Sequence, residues 1–173
     1  MKEKFSYANP MQVPRLEKVV LNVGAGTRTG YNVDGVVENL RKITGQQPIK
    51  TLAKQSISNF KTRKGQVIGL KVTLRGKRMY EFIDRFVNIA LPRVHDFRGL
   101  PATGFDQQGN YSVGMKDQLA FPEIKAEATE QLHGLQITFC STAKDSEQAY
   151  DLLKLFGFPL QEAKRKKKRG KKS

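Results

Sequence analysis

Ser58-Asn-Phe-Lys61 and Ser141-Thr-Ala-Lys144 each place a lysine three residues after a serine, a spacing at which an amine can activate a hydroxyl. Neither is joined by the Lys-Thr-Gly or Ser-Asp-Asn partners that complete such a centre, so both read as chance matches. Gly24-Ala-Gly-Thr-Arg-Thr-Gly30 lies where a phosphate cradle would, between a strand pattern and a helix pattern. Its spacing is G-x-G-x-x-x-G, and no Gly-Lys-Ser/Thr occurs, so a tight turn is the better reading. His95 and His133 have no second histidine or cysteine at ligand spacing, and each reads as a surface or hydrogen-bonded histidine. Cys140, the one cysteine, sits in the apolar run Leu135-Gln-Ile-Thr-Phe-Cys140 and reads as a buried thiol rather than a nucleophile. The acids between Asp106 and Asp151 show no spacing that singles out a pair for acid–base work. No metal or cofactor is expected.

Non-covalent chemistry is better represented. Lys54, Lys61, Arg63 and Lys64 surround Ser56, Ser58, Asn59 and Phe60. Bases neutralise phosphates, short polar side chains bond backbone oxygens and 2′-hydroxyls, and an exposed aromatic can stack on a base. Phe60 has a second reading, as an anchor tucked beneath its own loop. This cluster lies inside a wider window, Asn39–Tyr80, where 42 residues carry 11 lysines and arginines and no acid. Charge that one-sided repels itself, and a nucleic-acid backbone is the commonest partner that relieves it.

The elements that must hold these residues follow from periodicity. Arg15–Val23, Ile49–Ala53, Gln66–Arg75 and Leu135–Ser141 read as strands. Val36, Val37, Leu40 and Ile43 mark a helix capped by Gly45. Met79, Phe82, Ile83, Phe86 and Ala90 mark another, ended by Pro92. Lys144–Phe156 is the last helix, closed by Gly157 and Pro159. Lys54–Gly65 is a polar basic loop, and Phe97–Asn110 an ordered one. Mixed elements without βαβ spacing predict an α+β fold, a mainly antiparallel sheet with helices on one face, the other left free.

Length fits one domain, here 1–163, followed by a solvated, disordered tail at 164–173. Of the net charge of +15, eight charges fall in those last ten residues, whereas Asp106–Asp151 holds eight acids against three lysines. One end is therefore basic and another acidic, which suggests two partners or one oriented docking. The first residues lack the apolar core of a leader, and no run approaches ~18 apolar residues, so a soluble, cytoplasmic protein without a membrane partner is expected.

A series of motifs then falls in one order: Met11-Gln-Val-Pro14, Gly45-Gln-Gln-Pro48, Ser56–Gly65 and Lys71-Val-Thr-Leu-Arg-Gly76. Ala90-Leu-Pro-Arg93, Asp96-Phe-Arg-Gly-Leu100, Phe105-Asp106, Gly109-Asn-Tyr-Ser112, Phe121-Pro-Glu-Ile124, Thr142-Ala-Lys144 and Phe156-Gly-Phe-Pro159 follow. From about Phe5 to Leu160 the chain closely resembles the bacterial form of universal large-subunit ribosomal protein five. The resemblance implies a non-enzymatic component of the large subunit that binds 5S rRNA in the central protuberance. It implies further contacts with large-subunit rRNA, other 5S rRNA-binding proteins, P-site tRNA and a small-subunit head protein, number thirteen, in an intersubunit bridge. The family's 5S rRNA contacts fall on Asn22, Gln46 and Thr73, with Lys54 and Lys71 as nearby basic rRNA contacts. The tRNA-facing loop corresponds to Ser56–Gly65, with Ser56, Ser58, Asn59, Phe60, Lys61, Arg63 and Lys64 as its contact residues. Relative to the family pattern, a helix before Met1 is missing, Lys164–Ser173 is added, and Gln47 and Gln55 stand where a base is common. The competing classes are an enzyme acting on RNA, which would need a metal-carboxylate cluster, a histidine pair or a cofactor loop, and a free-standing RNA chaperone or assembly factor.

Overall fold

Alternation decides the sheet. In β1 (Leu16–Gly24), Val19, Leu21 and Val23 are buried while Lys18, Val20 and Asn22 are exposed or half-exposed, the period-two pattern of a strand covered on one face. β3 (Val67–Leu74) and β5 (Leu135–Ser141) repeat it, burying Leu70, Val72 and Leu74 and then Leu135, Ile137 and Phe139. A computed structural model, which describes residues 1–5, 7–24, 32–124 and 132–161, joins these with β2 (Ile49–Leu52) and β4 (Tyr111–Met115). The five strands form one antiparallel sheet of order β2-β3-β1-β5-β4.

The helices all lie against the buried side. A single apolar cluster contains the strand residues above together with Val36, Leu40 and Ile43 of α2 (Val33–Thr44), Met79, Phe82 and Ile83 of α3 (Gly76–Arg85), and Leu152 and Leu153 of α5 (Ser146–Leu155). Phe86 is the aromatic centre of that core, its ring 5.6–6.5 Å from those of Phe82, Phe121, Phe139 and Phe158. The sequence dictates the helix ends locally. Asn32 accepts the Gly35 N–H at the start of α2, and Gly45 closes it in the left-handed conformation at φ 67. The α+β reading with helices on one face describes this architecture.

One expectation is corrected, and two elements are added. Pro92 does not end the helix of α3. Phe86–Ala90 widens into a π-turn in which the Leu91 N–H reaches the Phe86 carbonyl, and the chain continues through Leu91–Arg93 (α4). Pro92 falls in the first turn of that new segment, where its missing N–H leaves no donor unsatisfied. β4 had no sequence counterpart, because five residues with a glycine among them carry little strand signal. Lys2–Phe5 (α1), also without a sequence counterpart, is a helical turn held to α5 by Lys4, whose ammonium lies 2.6 Å from Asp151. The turn glycines at 26 and 30, the acids at 127 and 130, and the basic segment 164–173 lie outside the described residues.

Candidate nucleic-acid interface

On the helix-free face, register places Ile49, Lys71, Asn22, Gln136 and Gly114 directly beside one another, one residue from each strand. All five are exposed. The next row is Thr73, Val20, Thr138 and Ser112, in which the two hydroxyls of Thr138 and Ser112 bond to each other at 3.0 Å. Lys18 and Cys140 form the row after that. The face is thus largely polar, and the lysines of these rows, Lys71 and Lys18, lie on β3 and β1.

Gln46 joins this face from the end of α2. Its Nε2 donates to the Thr73 carbonyl at 3.3 Å, while the Thr44 hydroxyl donates to the carbonyls of Leu40 and Gln46, which fixes the turn between helix and sheet. Arg85 anchors the same helix end from below, donating to the Ile43 carbonyl at 3.1 Å and to Glu123 at 2.6 Å. Asn22, Thr73 and Gln46 therefore share one region, with Lys71 among them.

The connection from β2 to β3 was expected as a loop; it is a tied arm. Ala53 N donates to the Gln66 carbonyl at 2.8 Å, Gly65 N to the Ala53 carbonyl at 3.0 Å, and Ile57 and Thr62 exchange two backbone bonds at 3.0 and 3.1 Å. The Ser56 hydroxyl accepts the Lys64 N–H, Ser58–Phe60 makes a 3₁₀ turn, and Lys61 at φ 52 reverses the tip. Lys54, Ser56, Ser58, Asn59, Phe60, Lys61, Arg63 and Lys64 are all exposed. Phe60 is 68 % exposed, so it does not anchor the arm from within.

Ion pairs separate structural cations from available ones. Lys50 pairs with Asp34, Arg75 with Glu17 and Lys77 with Glu81, whereas Lys54, Lys61, Arg63, Lys64 and Lys71 have no acidic partner among the described residues. These five cations belong to the sheet face and its arm.

The catalytic alternatives fail on geometry. The Ser141 hydroxyl donates to the Gly109 carbonyl at 2.7 Å and accepts the Ala143 N–H, a structural role. No group of three His, Cys, Asp or Glu side chains able to hold a metal occurs among the described residues. Cys140 is half-exposed rather than buried, on the open face beside Lys18; desolvation nevertheless pushes its thiol up, so it is no activated nucleophile. His133 is the reverse case: it is buried, its ring nitrogens have no hydrogen-bond partner among the described residues, and its backbone N–H donates to the Gln118 side chain at 2.8 Å. His95 is exposed.

Residues 9–63 match the family described as ribosomal protein L5, and residues 67–160 match the model for the C-terminus of that ribosomal family. The chain belongs to the ribosomal protein L5 family. Among its L5 relatives is the large ribosomal subunit protein uL5 of Carboxydothermus hydrogenoformans, 54 % identical over 162 residues that cover 92 % of this chain and 90 % of the relative. The uL5 of Desulforamulus reducens is 54 % identical over 91 % of this chain and 88 % of its own length; that of Heliobacterium modesticaldum is 51 % identical over 92 % and 90 %. These relatives are named as ribosomal proteins, a structural and non-enzymatic family. For this L5 chain, sequence reasoning missed Lys18, Gln136 and Thr138. The signal was there, in the polar residues at every second position of Leu135–Ser141.

Proposed function

We propose that this chain is a structural component of the large ribosomal subunit that holds 5S rRNA against its open sheet face and presents its β2–β3 arm to P-site tRNA. One observation carries the reading: the row Lys71, Asn22, Gln136 and the Gln46–Thr73 link sit on a sheet face that no described helix covers, with Lys71, Gln46 and Thr73 drawn from the acid-free window. Uncharged amides and hydroxyls supply directional contacts to an RNA shape, and the neighbouring lysines supply affinity. The arm suits a second RNA because its unpaired bases and exposed Phe60 project from a backbone already fixed by hydrogen bonds, so little ordering entropy opposes docking. A basic small-subunit head protein, number thirteen, is the partner for the acidic segment. Asp117, Asp145 and Glu147 there are exposed and form no ion pair with a described residue. Large-subunit rRNA and other 5S rRNA-binding proteins are the remaining neighbours.

Alanine at Asn22, Gln46 and Thr73 should weaken binding to purified 5S rRNA more than to an unrelated duplex. Equal loss on both RNAs would sink the specific site. An assembly factor is separated by occupancy: a structural component stays with large subunits at near one copy each after a high-salt wash.

A further inference from the structure

At the β1–β5–β4 end of the open face lies a hollow of about 500 Å³, bordered by Asn22, Gly24, Ser112, Gly114, Gly134 and Gln136. Gln136 stands directly across from Asn22 on one side and from Gly114 on the other, so two amides adjoin a position with no side chain. Both amides are exposed and free of hydrogen bonds to described residues, unlike Gln46, whose Nε2 is held by Thr73, and unlike the paired Ser112 and Thr138.

Nothing in the fold accounts for glycine at 114. Its φ is not left-handed, and a Cβ there would meet no atom of the described residues within 4 Å. By contrast, a Cβ on Gly69 would come within 2.8 Å of the Val23 carbonyl, so packing explains that glycine. Glycine weakens a strand, and where neither conformation nor packing requires it, close approach of a ligand is the remaining physical reason.

We infer that this hollow receives one unstacked base of the bound RNA, read along its edge by Gln136 and Asn22, with Lys71 on the adjoining phosphate. Each amide offers a donor beside an acceptor, the pair that matches N6–H and N7 of adenine. Unpaired bases splayed from a loop or bulge are the form in which proteins read RNA sequence. Lys71 to Gln136 spans two strand spacings, about 10 Å, room for one nucleotide to lie across β1. The inference rests on the open face being the 5S rRNA site.

The test uses the full chain and 5S rRNA. Gln136→Ala, and separately Gly114→Leu to fill the hollow, should each lower affinity about tenfold or more. Neither should change the salt slope or the melting temperature, since both positions are exposed and a Cβ at 114 meets no described atom within 4 Å. Lys71→Ala should instead reduce the slope by about 0.7–0.9. A 2-aminopurine scanned through the unpaired adenines should brighten at one position with the wild type and not with Gln136→Ala. Tight wild-type binding that both variants retain overturns the pocket while leaving the 5S rRNA site standing. Wild-type binding no tighter than to an unrelated duplex overturns that site, and the pocket with it. Variants that keep RNA affinity but lose a protein neighbour in the assembled subunit assign the hollow to protein and overturn base reading.

Discussion

Two phenylalanines, changed in the same way, should fail in opposite ways. Phe86 is fully buried, with four other rings around it, while Phe60 is 68 % exposed at the tip of the arm. Phe86→Ala removes a ring from a packed site that α3, β5 and the Phe121 and Phe158 segments all line, and such truncations cost about 3–5 kcal/mol. A domain of this size has about 5–15 kcal/mol in total and loses about 2–4 °C of melting temperature per kcal/mol. The expected drop is therefore about 6–20 °C, followed by circular dichroism or calorimetry, with m unchanged in denaturant. Phe60→Ala should stay within about 0.5 kcal/mol of wild type, because the ring makes no core contact. It should, however, weaken tRNA binding by the loss of one stacking contact, about 1–3 kcal/mol. A Phe86→Ala protein that melts within about 2–3 °C of wild type, or a Phe60→Ala protein that melts as low as Phe86→Ala, would refute this account of core and arm.

Other outcomes follow from single contacts. Burial holds the His133 ring below its ordinary value, only partly offset by the nearby Gly134 backbone. The unfolded chain thus binds the proton first, so stability present above pH ~6.5 should be lost as pH falls, and His133→Phe should remove that loss in acid-melt series. Burial likewise pushes Tyr111 up to about 12, with its hydroxyl donating to the Pro101 carbonyl; its share of stability is present below pH ~10 and lost as pH rises through about 12, a difference that Tyr111→Phe should abolish. Arg85→Met strips the half-buried Glu123 of its cation and frees the Ile43 carbonyl, so a loss of about 1–2 kcal/mol in urea unfolding is expected, partly restored by adding Glu123→Gln. Deleting Lys164–Ser173 should flatten the dependence of RNA affinity on salt, since eight bases go with it; an unchanged slope would mean that those bases do not meet the RNA.

Much of the fold was legible because local signals agreed. The alternation in β1, the helical spacing of Val36, Leu40 and Ile43, and Gly45 after them each point one way, and the structure follows all three. Pro92 misled because the rule that proline ends a helix assumes an unbroken α ladder, and the π-turn before it removes that condition. β4 is a strand by virtue of pairing with β5, a tertiary fact that Tyr111-Ser-Val-Gly-Met115 does not announce. Burial of a lone histidine between Leu132 and Gly134 has no sequence signature either. At the candidate interface, the acid-free window led to the arm, because charge is visible residue by residue, whereas Asn22, Gln46 and Thr73 came from the family resemblance. Gln136 lies far along the chain in a segment of the opposite sign, and only strand register brings it beside Asn22.

The order of strands also bears on how the protein is made. β2, β3 and β1 come from residues 16–74, whereas β5 joins β1 across more than a hundred residues of chain. The first half-sheet, with Asn22, Lys71, Thr73 and the arm, contains pairings of shorter sequence separation, all within residues 16–74, and can close while the rest of the polypeptide is still being synthesised. The second half must wait for β5, and pairings of such long sequence separation form slowly. Until then β1 presents an unpaired edge, while α2 and α3 are already available to cover the apolar side of the half-sheet. The Lys71 and Thr73 side of the open face is thus complete first, and the Gln136 side arrives last.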